Sequence, residues 1–113
     1  SATTYGFYDA DDTCIGYAQE QAVRGGSGGY YICYMDADGN PKDYYSNEEA
    51  TQTYDSEGNL IATGTVDFNG FFESQHCYVE ITAEEDSTIQ MDFMDKMAMY
   101  LYLFSDFNSE HLD

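Results

Sequence analysis

Apolar and polar residues alternate over short runs along most of the chain, and acidic, turn-forming clusters interrupt the runs. Three clusters align without gaps: Tyr8-Asp9-Ala10-Asp11-Asp12-Thr13-Cys14-Ile15, Met35-Asp36-Ala37-Asp38-Gly39-Asn40-Pro41-Lys42 and Tyr54-Asp55-Ser56-Glu57-Gly58-Asn59-Leu60-Ile61. Each sets an acidic turn between apolar or aromatic flanks. Asp, Asn and Gly tolerate left-handed backbone, and an Asp side chain can cap its own turn, so each copy predicts a β-hairpin. The copies stand 27 and 19 residues apart. Unequal spacing points to a recurring hairpin device and not to a solenoid of fixed period.

Two further turns are expected. Asn69-Gly70, between Val66-Asp67-Phe68 and Phe71-Phe72-Glu73, has the strongest two-residue hairpin signal in the chain. Glu84-Glu85-Asp86 would join the β-forming run from His76 to Thr82 to the alternating run from Thr88 to Phe93. Together the turns predict about eight short strands, with Arg24 to Gly29 a flexible glycine loop. The fold class is mainly β: antiparallel hairpins in a curled sheet or small sandwich, with a C-terminal helix as the open variant. Residues 1–113 form a single acidic β-rich domain of a size that supports one modest core.

Periodicity is ambiguous in two places. Ile89, Phe93, Met97, Tyr100, Phe104 and Phe107 form a helical stripe, while Met97, Met99, Leu101 and Leu103 equally make one face of a strand. The aromatic content tips the reading slightly toward a final strand. Asp12 to Val23 also fits a short helix with Ile15, Ala18 and Ala22 inward, but the repeat alignment favours a strand from Thr13.

Charge changes the picture most. Against 22 Asp and Glu stand three basic residues, Arg24, Lys42 and Lys96, so the formal net charge is -19. A hydrophobic content of 42% argues against wholesale disorder. Direct binding to nucleic acid or an anionic membrane is excluded, because both need Lys and Arg to displace counterions. A basic or metallic partner is expected, and high charge favours a monomer over a dimer. Cys14, Cys33 and Cys77 include no CxxC pair and cannot all pair within one chain, which favours a reducing, cytoplasmic setting. No signal-peptide pattern or long apolar run is seen.

The search for chemistry points away from an enzyme. His76 and His111 fall in no zinc-site spacing. His76 and Cys77 are neighbours on an expected strand and would point to opposite faces. Gly25-Gly26-Ser27-Gly28-Gly29 lacks the lysine and the strand-to-helix setting of a phosphate loop. Calcium at the acidic hairpins of an extracellular module is the alternative. The Asp36-Ala37-Asp38-Gly39-Asn40 run resembles the start of an EF-hand loop, yet Pro41 stands where that loop needs Gly and Asn47 where it needs Glu. No cofactor is expected.

The acids could simply confer solubility, which predicts an even scatter, or they could imitate a phosphate array. Folded area for this mass is roughly 6,300 Å², so the charge averages about one per 330 Å², against about one per 110 Å² for a duplex. A mimic must therefore gather its acids on about one third of its surface. The expected binding residues are the turn acids Asp9, Asp11, Asp12, Asp36, Asp38, Asp55, Glu57, Glu84, Glu85 and Asp86. Twelve tyrosines exceed what a small core absorbs, and in Tyr30-Tyr31 and Tyr44-Tyr45 one ring must lie on each strand face. Exposed rings would offer cation-π partners to Arg or Lys.

Size, acidity, scarcity of Lys and Arg, and turn-clustered carboxylates together resemble the small prokaryotic and phage DNA-mimic proteins, such as inhibitors of uracil-DNA glycosylase and anti-restriction and anti-CRISPR proteins. Within that group the chain is most similar in size and character to the neisserial representative directed at the histone-like HU protein. The resemblance is compositional and spans the whole chain, and it carries over no binding residue. It implies a stoichiometric, non-catalytic, cytoplasmic protein whose partner is a nucleoid or other DNA-binding protein.

Overall fold

The computed structural model describes residues 2–25, 28–71 and 74–111, giving only the course of the backbone for 68–71, 74–77 and 107–111. The described residues form strands β1 (Thr4–Tyr8), β2 (Cys14–Ala22), β3 (Tyr30–Met35), β4 (Pro41–Asn47), β5 (Gln52–Asp55), β6 (Leu60–Phe71) and β7 (Ser74–Ala83), then helix α1 (Phe93–His111). All neighbouring strands pair antiparallel, in chain order from β1 to β7. This curled half-barrel with one C-terminal helix matches the expected mainly β class. The three aligned segments are the connections β1–β2, β3–β4 and β5–β6, and Asp12 to Val23 is essentially strand.

Three expectations are corrected. Seven strands replace the expected eight among the described residues, because Thr88 to Ile89 form no strand and the chain instead passes through Met91 into α1. Asn69-Gly70 is not a turn: the two residues lie inside β6, opposite His76 and Gln75 of β7. Continuous pairing from Ala62↔Ala83 to Phe71↔Ser74 fixes that register, so the connection falls on 72–73, outside the described residues. Residues 93–111 are helix, not a final strand. The predicted helical stripe is also rotated: Phe93, Met97, Leu101 and Phe104 are exposed, while Asp95, Ala98, Met99, Tyr102 and Leu103 are buried.

That rotation follows from what the sheet presents to the helix. Alternation along each strand sends Phe7, Ala18, Ile32, Tyr34, Tyr44 and Ala62 into the core, where they meet Ala98, Met99, Tyr102 and Leu103 of α1. The core also holds a polar chain. Tyr34 and Ser46 hydroxyls lie 2.6 Å apart, Ser46 and Thr53 hydroxyls 2.6 Å apart, and the Thr53 hydroxyl donates to the Met99 sulfur at 3.3 Å. The Tyr102 hydroxyl lies 2.8 Å from the Thr3 carbonyl oxygen and 3.1 Å from that of Ala18. Every buried side-chain nitrogen or oxygen among the described residues has a partner. A polar core is tolerable on that condition.

Close approach of α1 to β6 depends on Gly64. A Cβ there would lie 2.6 Å from the Ala50 carbonyl oxygen and 2.7 Å from Leu103 Cδ1, so the helix or the neighbouring turn would have to move. Gly64→Ala is expected to cost about 1–3 kcal/mol, the usual range for overpacking. A lower denaturation midpoint with an unchanged slope would check it.

Burial raises the phenol pKa of Tyr34, Tyr44 and Tyr102. A folded-state value above the unfolded one means that the native state keeps protons which the unfolded chain gives up. Stability therefore falls as pH rises past about 10, where free tyrosines ionise. The expected alkaline titration has two parts: exposed tyrosines ionise gradually, and the buried ones in one step together with the loss of far-ultraviolet ellipticity. A smooth phenolate titration with ellipticity intact would contradict this.

Candidate functional site

The three repeated turns share one hydrogen-bond pattern. The amide of the leading Asp donates to a carbonyl four residues on: Asp9 to Thr13 at 3.0 Å, Asp36 to Asn40 at 2.9 Å and Asp55 to Asn59 at 2.9 Å. The carbonyl of the same Asp accepts from the residue three on, Asp12, Gly39 or Gly58, and those three residues have φ of 63°, 84° and 88°. The leading carboxylate accepts from the amides two and four residues on, at 2.8–3.0 Å in all three copies. Such a turn with one left-handed residue leaves a bulge in the flanking pair. A break in register sits beside each turn, at Tyr8↔Cys14, Met35↔Pro41 and Tyr54↔Leu60.

The acids of these turns therefore divide into two groups. Asp9, Asp36 and Asp55 direct a carboxylate oxygen into their own turns, and Asp55 is buried. Amides donated from Asn40 and Asn59 hold the Asp36 and Asp55 carboxyls below the usual carboxylate range. Asp11, Asp12, Asp38, Glu57, Glu84, Glu85 and Asp86 are exposed.

Topology decides where the turns lie. In a meander of seven strands, the connections after β1, β3 and β5 and the exit from β7 all fall at the same end of the sheet. All ten predicted acids are thus carried to one rim. Hairpins succeed one another along it at two strand spacings, about 10 Å. Two of the three basic residues lie near this end, Lys42 at the start of β4 and Lys96 at the start of α1. Lys42 is already engaged, at 2.9 Å from Asp92 and 2.8 Å from Asp95. Arg24 belongs to the β2–β3 connection and Glu48 and Glu49 to the β4–β5 connection, both at the opposite end.

Lys42, Asp92, Asp95 and Tyr44 form a cluster that sequence reasoning missed. Asp95 is 1% exposed and accepts from Lys42 and from the Tyr44 hydroxyl. The Asp92 amide donates to the Tyr44 oxygen at 3.0 Å, and the Asp92 carbonyl accepts from the amides of Asp95 and Lys96 in the first turn of α1. Burial raises the Asp95 pKa against the pull of Lys42, whereas Lys42, more exposed and facing two carboxylates, has its own pKa raised despite desolvation. The cluster fastens α1 to β4. The spacing of Asp92 and Asp95 becomes a signal only once the segment is known to be a helix start.

The outer face carries aromatic rings. Tyr31 and Tyr45 meet edge-on at 6.0 Å, and Tyr45 and Tyr54 lie tilted at 5.8 Å, in a row across β3, β4 and β5. Tyr44 is buried while Tyr45 is exposed, as expected for neighbours on a strand. Tyr31 and Tyr54 hydroxyls donate to Gln21 and Gln52. No three His, Cys, Asp or Glu side chains among the described residues converge as a metal cage. Cys77, His76 and His111 have side chains outside the described residues. No helix is long and apolar enough to cross a membrane among the described residues. No protein family, curated protein or solved structure matches the chain.

Proposed function

We propose that the protein is a non-catalytic charge decoy whose acidic rim occupies the basic groove of a DNA-binding protein. In particular, it acts as a DNA mimic toward a nucleoid protein of the histone-like HU kind, in the cytoplasm, and competes with DNA for that groove. One observation carries the reading: the meander collects the turn acids at a single end, as mimicry needs and an even solubility coat does not.

Charge density supports it. The surface is 7480 Å², so 19 net charges average only about one per 390 Å². The rim is denser. Seven exposed acids stand at that end with Lys96, whereas the connections at the opposite end carry Glu48, Glu49 and Arg24. The spacing of about 10 Å between hairpins also lies between the ~6 Å and ~12 Å groove widths of DNA. The hairpin backbones that carry Asp11, Asp12, Asp38 and Glu57 are closed by their own hydrogen bonds, so little backbone order is lost on binding.

The test is a gel-shift competition with HU and duplex DNA. Release of DNA at stoichiometric protein in low salt, weakening steeply as salt rises, is the expected result. Undiminished HU–DNA complex at low salt would remove HU as the target.

A further inference from the structure

Net charge by itself favours a monomer, yet α1 adds a surface that charge does not explain. Phe93, Met97, Leu101 and Phe104 follow one another at helical spacing and are 71%, 38%, 46% and 47% exposed. At about 200 Å² for each large side chain, they leave roughly 400 Å² of contiguous apolar area, at the level that marks an interaction site in a monomer. The opposite side of α1 is the one packed into the sheet, through Ala98, Met99, Tyr102 and Leu103. The stripe therefore faces outward on the open side of the half-barrel.

We infer that a second copy of this chain covers the stripe, with the two α1 helices antiparallel about a two-fold axis near position 99. The steps along the stripe are four, four and three residues, which is close to symmetric about that point. An antiparallel pair sets Met97 of one copy against Leu101 of the other, and Phe93 against Phe104, so one patch is complementary to itself, as a two-fold interface requires. The placement of charge selects the antiparallel sense. Helix α1 begins at the acidic rim, where Asp95 meets Lys42, and runs to the far end, where Tyr102 meets Thr3. Antiparallel helices thus send the two rims to opposite ends of the dimer, whereas parallel helices would set them side by side. Two stripes remove about 800 Å² of apolar area, below the ~1,200 Å² of standard stable interfaces and in the range of a weak, reversible dimer.

The interface is independent of the rim's proposed role, and salt separates the two. Screening the repulsion between two acidic copies tightens the dimer, whereas the same salt weakens a rim held to a basic partner. Sedimentation equilibrium of the intact chain is expected to show a monomer–dimer equilibrium that shifts toward dimer as salt rises. Leu101→Asp should weaken it by roughly a hundredfold, since a symmetric interface loses the buried side chain twice. Its circular dichroism should stay at wild-type values and its melting should match that of the wild-type chain at concentrations where that chain is monomeric, because Leu101 is 46% exposed in the single chain. Direction is read from a mixture: Met97→Lys with Leu101→Glu should recover association that each variant lacks alone, since only antiparallel helices bring those positions together. A monomer at every concentration and salt overturns the inference. So does a dimer that Leu101→Asp leaves intact, and failure of the mixture to recover overturns the antiparallel geometry.

Discussion

Lys42→Met is expected to destabilise the domain by about 3–5 kcal/mol, the range for breaking a buried ion pair on one side. Asp95 is 1% exposed, with Lys42 Nζ at 2.8 Å and the Tyr44 hydroxyl as its other partner. Removing the ammonium leaves an ionised carboxylate inside the fold with one neutral donor. Domains of this size are stable by about 5–15 kcal/mol, so the loss takes a large share of the total. The pH dependence identifies the cause. Asp95 has its folded pKa raised by burial, and without Lys42 the opposing pull is gone. The folded state then binds a proton more tightly than the unfolded chain, so the variant recovers stability as pH falls through the folded value. Adding Asp95→Asn should recover much of the loss at neutral pH, because it removes the unpaired charge. Urea denaturation across pH measures both effects. A loss that is constant with pH and unrelieved by Asp95→Asn would show that Lys42 acts through its packing.

Neutralising the rim should abolish competition with DNA and leave the fold intact. Asp11→Asn, Asp12→Asn, Asp38→Asn and Glu57→Gln change four exposed acids without removing a turn cap, since Asp9, Asp36 and Asp55 hold the caps. At about 0.7–1 kcal/mol per charge, four amount to about 3–4 kcal/mol, or two to three orders of magnitude in affinity for the basic partner. An equal change elsewhere provides the comparison: Glu48→Gln, Glu49→Gln, Asp67→Asn and Glu80→Gln. If position matters, the second set has little effect in the gel-shift competition. Equal losses from both sets would mean that total charge acts and that the rim has no special part.

The hairpins were legible because their information is local. In each copy, one Asp, a left-handed residue three positions on and two amides within reach close the turn without help from the rest of the chain. The Asn69-Gly70 reading failed for the opposite reason. Its turn chemistry was local, but β6 and β7 pair over ten positions, and that ladder outweighs the preference of two residues. A related turn was overlooked at Asn47, whose side chain accepts from the Thr51 and Gln52 amides while Ala50 takes φ of 59°. Ala gave no sign of a left-handed position. The acid positions at the rim were named correctly as turns, but their division into capping and outward carboxylates depended on hydrogen bonds that spacing does not encode.

By itself the sequence determined the acidity, the hairpin device and the antiparallel β class, because each arises within a few residues or from composition alone. The tertiary structure decided three other things. It decided that the acidic turns share one end, since that depends on every strand pairing with its successor. It decided that residues 93–111 are helix and which side faces in, since Gly64 admits Met99 and Leu103, and Lys42 and Tyr44 receive Asp95. It decided that Phe93, Met97, Leu101 and Phe104 face outward, because an ambiguous apolar pattern has two candidate faces and only the partner surface selects one.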